Sequence, residues 1–240
     1  MNKYTKWLLL PIAMALPFMT SCKMELVGNK EMIETEVAVS PFEKIDSQGS
    51  ANVRFHKSEE IRVVYTIDSN LAEYVEIFTN RNNTLIIKFE SYDKSFSYTR
   101  FEVDIYAPSI NGISMSGSGS FSTKDTLTAQ NFDAVISGSA RIVGNIESQK
   151  LAATISGSGS ISLSGQSAET SLVITGSGDY NGDDFNADDA VITITGSGRV
   201  VLNVSDSLNV RVTGSGTVRY RGNPKISSSI TGSGRLINIE

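Results

Sequence analysis

Cysteine and histidine occur once each in the 240 residues, and basic charge is in the minority. A lone cysteine, Cys22, rules out a disulfide within the chain. The lone histidine, His56, sits on an alternating segment beside Lys57 with no Cys, Ser or acid motif pointing to it, so it reads as a solvent-facing strand residue and not as a general base. Lys and Arg number 21 against 26 Asp and Glu, a net charge of −5, which argues against nucleic acid and against a polybasic membrane patch. The main apolar run, Trp7–Leu16, is too brief to span a bilayer.

What is abundant is a tripeptide. Gly-Ser-Gly stands at 117–119, 157–159, 176–178, 196–198, 214–216 and 232–234, and Gly138-Ser139-Ala140 fills the one gap. Successive first glycines are 21, 19, 19, 20, 18 and 18 residues apart. A period of that length marks a chain wound into stacked coils, with one structural event per coil. Two residues before each first glycine is Met115, Ile136, Ile155, Ile174, Ile194, Val212 or Ile230, and four before it is an apolar residue in every copy but the last, where Ser228 stands. Phe121, Ile142, Ile161, Tyr180, Val200, Val218 and Leu236 take up the alternation after the tripeptide. Period two on both sides of a bend means strand, corner, strand around a shared interior. A polar return such as Gly144–Lys150 or Asn203–Leu208 then leads to the next coil.

The corner glycines Gly117, Gly119, Gly138, Gly157, Gly159, Gly176, Gly178, Gly196, Gly198, Gly214, Gly216, Gly232 and Gly234 are read as structural. The first of each set carries the stricter backbone demand, because the third position accepts Ala140. Seven corners at strand spacing would form a ridge about 29 Å long. No Lys follows the tripeptide and no helix begins there, so these are not phosphate loops.

Residues 1–22 read as a signal segment: Lys3 and Lys6, the short apolar run, then Met19-Thr20-Ser21-Cys22. The last four resemble a bacterial lipobox, which implies lipidation of Cys22, and Lys23 resembles outer-membrane sorting signals. An outer-membrane lipoprotein of the cell envelope is the expectation. Removal of the segment leaves 19 basic against 26 acidic residues. Residues 23–40 are charged and aperiodic and read as a tether. Residues 41–240 read as one all-β domain, a single-stranded parallel β-helix of about 19 residues per coil, irregular over 41–111 and regular over 112–240. In the irregular region Ala51–His56, Ile61–Ile67, Thr84–Glu90 and Arg100–Ala107 read as strands, Asp68–Tyr74 as a helical turn capped by Asp68 or Ser69, and Gly49-Ser50-Ala51 as an echo of the corner.

From Phe42 onward the chain resembles a Bacteroidetes family, the "putative auto-transporter adhesin, head GIN domain". The likeness rests on Phe42-Glu43-Lys44-Ile45, on Ala51–Phe55, on Glu60–Ile67 leading to Asp68-Ser69-Asn70-Leu71, and on the Gly-Ser-Gly series. It implies a right-handed β-helix related to pectin-lyase-like solenoids, no established catalytic residues, and an adhesion role; no cofactor is expected.

Other features carry weaker chemistry. Asp183, Asp184, Asp188 and Asp189 crowd seven residues and are a weak calcium candidate without the spacing of a calcium loop. Arg199, Arg211, Arg219 and Arg235, with Arg221, crowd the last coils and would suit an anionic glycan or a partner subunit, or else guard strand edges. Asp125-Thr126-Leu127 and Asp206-Ser207-Leu208 resemble a short O-glycosylation sequon, with Thr126 and Ser207 as acceptors in return loops. The final Arg235–Glu240 looks like strand, with no cap after it, so the C-terminal coil is expected to meet another copy or a neighbouring protein. The sum is a non-enzymatic, lipid-anchored envelope protein that presents a solenoid surface for adhesion or assembly, to a host or surface glycan or protein. The alternatives are a polysaccharide-binding or carbohydrate-active solenoid and an envelope sensor or regulator.

Overall fold

Aliphatic residues at every second position commit this chain to strands, and glycines every nineteen or so residues commit the strands to turn together. The computed structural model describes residues 24–90 and 94–240. Cys22 and the signal segment lie outside the described residues. The strands run in chain order as β1 (Met24–Val27), β2 (Met32–Val37), β3 (Lys44–Gly49), β4 (Asn52–Lys57) and β5 (Arg62–Asp68). A 3-10 helix (Ser69–Tyr74) precedes β6 (Val75–Thr79), β7 (Thr84–Phe89), β8 (Lys94–Ser97) and β9 (Glu102–Ala107). The regular coils contain β10 (Gly112–Gly117), β11 (Ser120–Gly138), β12 (Arg141–Gly157), β13 (Ser160–Gly176), β14 (Asp179–Gly196), β15 (Arg199–Gly214), β16 (Thr217–Arg221), β17 (Lys225–Gly232) and β18 (Arg235–Asn238).

From β10 to β18 every pairing is parallel, and each coil lies directly on the one before. Register follows the tripeptide: Gly117 pairs Gly138, Gly138 pairs Gly157, and so on to Gly214 with Gly232. The chain is therefore a β-solenoid of about seven turns with its corners in one column. Met115, Ile136, Ile155, Ile174, Ile194 and Val212 form an unbroken buried column inside it, and Phe121, Ile142, Ile161, Tyr180, Val200 and Val218 another. Each such side chain, fully buried, is worth about 1.5–3 kcal/mol of transfer free energy. The echo at Gly49 is the first corner: Gly49 pairs Gly117, and Ser118 N donates to Gly49 O at 3.1 Å.

Two expectations are corrected. The returns are not polar loops. Gly144–Lys150 and Asn203–Leu208 lie within continuous strands, β12 and β15, and bury Ile146, Val204 and Leu208. Their outward residues are polar, but the ladder to neighbouring coils satisfies the backbone, so strand persists. Nor are residues 23–40 a tether. The segment supplies β1, which runs parallel to β8, and β2, which pairs antiparallel with β5. Ile33, Val37 and Val39 alternate with Glu34, Glu36 and Ala38, so one side of this segment faces the body of the protein and the charges face water.

Asp68 explains how that segment is held. It stands at the N-cap position of the 3-10 helix, yet its side chain makes no cap bond. The fully buried carboxylate instead accepts from Lys30 N at 2.6 Å, Thr99 N at 2.7 Å and Thr99 Oγ1 at 2.9 Å. Burial alone would raise its pKa, but these bonds outweigh it and hold the group below the ordinary carboxylate value. Gly28 lies so close that a Cβ there would stand 2.4 Å from the Asp68 carboxyl carbon.

Candidate functional site

The corner decides which residues face outward, so the site begins there. All eight first glycines, Gly49 included, have φ between 111° and 126°, a backbone that L side chains rarely adopt. At Gly176 a Cβ would also stand 2.5 Å from the Gly157 carbonyl oxygen of the coil below. The third position has a different constraint: at Gly178 a Cβ would meet Ile155 Cγ2 at 2.4 Å. In the coil below Ala140 the residue matching Ile155 is the unbranched Met115, which is where the extra methyl is accommodated. The middle serines project to solvent, and their backbone N–H groups bond down the column, as Ser177 N to Gly157 O at 2.9 Å.

On the strand before each corner, the residues five and three positions ahead of the first glycine point outward. In register these are Gly112, Asp133, Ala152, Ser171 and Val191, and beside them Ser114, Val135, Thr154, Val173 and Thr193. All of these but Val173 and Thr193 line a trough crossing the coils, one stretch of about 600 Å³ spanning Asn131 to Val191 and a second of about 260 Å³ reaching Lys44 and Thr84. The two share Asp133 and Ala152. Small side chains keep the floor low: Lys44 crosses Gly112 to reach Asp133 at 2.7 Å because no Cβ stands in its way. Lys150 and Glu169 pair across adjacent coils at 2.8 Å on the rim, with Asp189 next in that row. The trough thus offers an apolar, hydroxyl-bearing floor beside a rim that is charged in three successive coils, at Lys150, Glu169 and Asp189. It suits an extended ligand with hydroxyl or amide groups along its length. Its residues are legible only when the coils are aligned on their first glycines.

The sites anticipated from sequence are dispersed. Arg199, Arg219 and Arg235 are exposed on strands after the corner, whereas Arg211 lies on the strand before it, in the Thr193 column. The bend separates them, and Arg199 is bound bidentately by Asp179 at 3.0 and 3.1 Å, so the four do not form one basic patch. The calcium candidate is also overturned. Asp183 accepts from Arg221, Asp188 from Ser205 and Asp189 from Ser207, and among the described residues no group of acids and histidines is placed to hold a metal. Thr126 and Ser207 lie in strands, not loops; Thr126 Oγ1 accepts from Asn145 at 2.8 Å and Ser207 Oγ donates to Asp189. His56 is half-exposed, stacked on Tyr106 at 4.7 Å and 3.0 Å from Asp104. Arg54 grips the same Asp104 at 2.7 Å, and that bond, with His56 adding to it, holds the Asp104 carboxyl below its usual range. Among the described residues no helix is long and apolar enough to cross a membrane.

Known proteins share this fold. A family model described as "Putative auto-transporter adhesin, head GIN domain" matches residues 41–224. The crystal structure of a "putative adhesin" from Bacteroides fragilis is 25% identical, covers 89% of this chain and 100% of its own, and superposes with a TM-score of 0.84. A "putative adhesin" from Parabacteroides merdae is 22% identical over 90% of this chain and 100% of its own, with a TM-score of 0.73. A "putative lipid binding protein" from Parabacteroides distasonis is 23% identical over 90% and 100%, with a TM-score of 0.75. The last two share the fold. No curated protein matches the chain.

Proposed function

The chain belongs to the "putative auto-transporter adhesin, head GIN domain" family, and from that premise we propose that it is a non-enzymatic adhesin of the cell envelope whose ligand lies along the trough. Family membership supports an adhesion-type role at the envelope or surface. The trough is the observation that carries the rest: a repeating outward surface, crossing several coils, matched to an extended polymer such as a surface or host glycan. Lipid on Cys22 would hold the protein at the outer membrane, with the described body beginning two residues later.

A glycan array probed with the full chain carrying Cys22→Ala, so that no lipid can attach, tests the ligand. Binding is expected to fall at least tenfold with Ser171→Arg or Ala152→Arg, which fill the trough, and to survive Arg199→Ala and Arg235→Ala together. Binding untouched by the trough substitutions but lost with the arginines would overturn the assignment. Intact mass of native protein from membranes tests the anchor: a diacyl or triacyl addition on a chain starting at Cys22 is expected, and an unmodified mass rejects it. The same spectrum reads any hexose on Thr126 or Ser207.

A further inference from the structure

Two of the inner columns, the one through Val212 and another through Leu208, reach solvent at β17. Leu208 and Val212 are each 1% exposed beneath β17, whereas Ile226 and Ile230, which continue their columns, are 47% and 38% exposed. β17 pairs only with β15 among the described strands, so its other edge presents a row of backbone donors and acceptors. Apolar side chains beside an unpaired edge form a docking surface whose geometry is already defined, because the next layer must continue the same ladder.

The order of residues on β17 says what fits. Ile226-Ser227-Ser228-Ser229-Ile230 reads alike in both directions about Ser228. We propose that the occupant is a second copy of this chain, its own β17 antiparallel to the first about a two-fold axis at Ser228. Ile226 of each copy then faces Ile230 of the other, and both pairs stay on the inner side of the joined stack. Lys225 falls opposite Thr231, so no like charges meet within the strand pair. The contact continues the coil-on-coil packing of β15 against β17. A whole coil, eighteen residues by the final corner spacing, approaches the roughly 20–30 residues a side of a stable interface. At the other end the edge strands among the described residues are β2, antiparallel to β5, and β6, antiparallel to β7, whose exposed Phe78 carries the Lys88 ammonium at 5.7 Å. The self-matched order of β17 therefore favours a closed pair over a head-to-tail filament. This inference does not depend on the trough.

The test uses the full chain with Cys22→Ala in sedimentation equilibrium. A dimer is expected, and Ile226→Asp with Ile230→Asp is expected to weaken it at least tenfold with an unchanged far-ultraviolet spectrum. Adding Ser228→Cys to the Cys22→Ala chain should give a disulfide-linked dimer on mild oxidation, because facing antiparallel residues lie within disulfide reach. Ser215→Cys, on the corner ridge one coil away, should not. A monomer at all concentrations, a dimer indifferent to the two aspartates, an open-ended filament, or no link at Ser228→Cys would each overturn the proposal.

Discussion

From Gly112 onward each coil covers its neighbour by the same contacts, whereas in the described residues before it only the Gly49 corner, with β3 and β4, shares that stacking and the rest is held by contacts that occur once. The regular coils copy a single device: a positive-φ glycine, a small serine, and an aliphatic beneath the next corner, branched in every coil but the first, where Met115 stands. The N-terminal region has antiparallel pairs of β2 with β5, β5 with β9 and β6 with β7. It also has an aromatic group in which Phe89 stacks on Phe96 at 4.3 Å and meets Phe101 at 5.1 Å, and it has the buried Asp68. Repetition spreads stability over nearest-neighbour contacts. Unique contacts concentrate it, and they close one end of the stack with structure that cannot propagate.

The sharpest way to break this comparison is to make the same change at two corners. Gly176→Ala adds a Cβ at φ 117° that collides with the carbonyl below, and is expected to cost about 4 kcal/mol or more. Gly49→Ala meets the same torsional penalty at φ 118° but finds nothing within 4 Å, so about 1–3 kcal/mol is expected. Urea denaturation of both variants measures the difference; equal losses would mean that stacking adds nothing to the glycine requirement.

Next in size is the N-terminal clamp. Asp68→Ala should cost about 3 kcal/mol, because three donors lose a charged acceptor. The sign with pH is fixed by the lowered pKa. A carboxylate held below its unfolded value stabilises the fold fully above that value and stops doing so as pH falls through the folded one. The gap in melting temperature between the parent and Asp68→Ala should therefore be widest above about pH 5 and narrow below about pH 4. A gap independent of pH would show that the charge is not what holds the clamp. Asp104 has the same sign through Arg54 but is common to both proteins, so the difference isolates Asp68.

The smallest effect expected lies inside a regular coil. Tyr180 is 2% exposed, its hydroxyl finds no partner among the described residues, and burial pushes its pKa up. Tyr180→Phe removes a desolvated group and keeps the ring, so stability should rise by up to about 1 kcal/mol. A loss of more than that would place a partner on the hydroxyl.

The regular coils are legible in the sequence because their constraint is local and recurs: a residue at Ile136, Ile155 or Ile174 can be placed inward from its distance to the next glycine. Gly49 is legible for the same reason despite its irregular surroundings. The strand at Met32–Val37 is not, because its glutamates face water and its alternation is too short to stand out from a charged segment. Asp68 reads as a helix cap, since nothing local reveals that its acceptors are used by Lys30 and Thr99, 38 and 31 residues away. Asp183 and Asp189 are close in sequence, yet the pleat and the coil repeat send one to Arg221 and the other to Ser207. The arginines fail as a patch for a related reason: Arg211 precedes a corner and Arg219 follows it. The trough needs the register of five strands, which sequence supplies only once the coils are laid over one another.

The column of corners is the claim on which the rest depends, and its length is directly measurable. Nitroxide pairs on the exposed corner serines, in the Cys22→Ala chain, would be read by double electron–electron resonance. Backbone separations of about 19 Å for Ser118→Cys with Ser197→Cys and about 29 Å for Ser118→Cys with Ser233→Cys are expected, an increment of about 5 Å per coil. Narrow distributions stepping out in that ratio are the predicted result; distances that do not grow with coil number would contradict the stack.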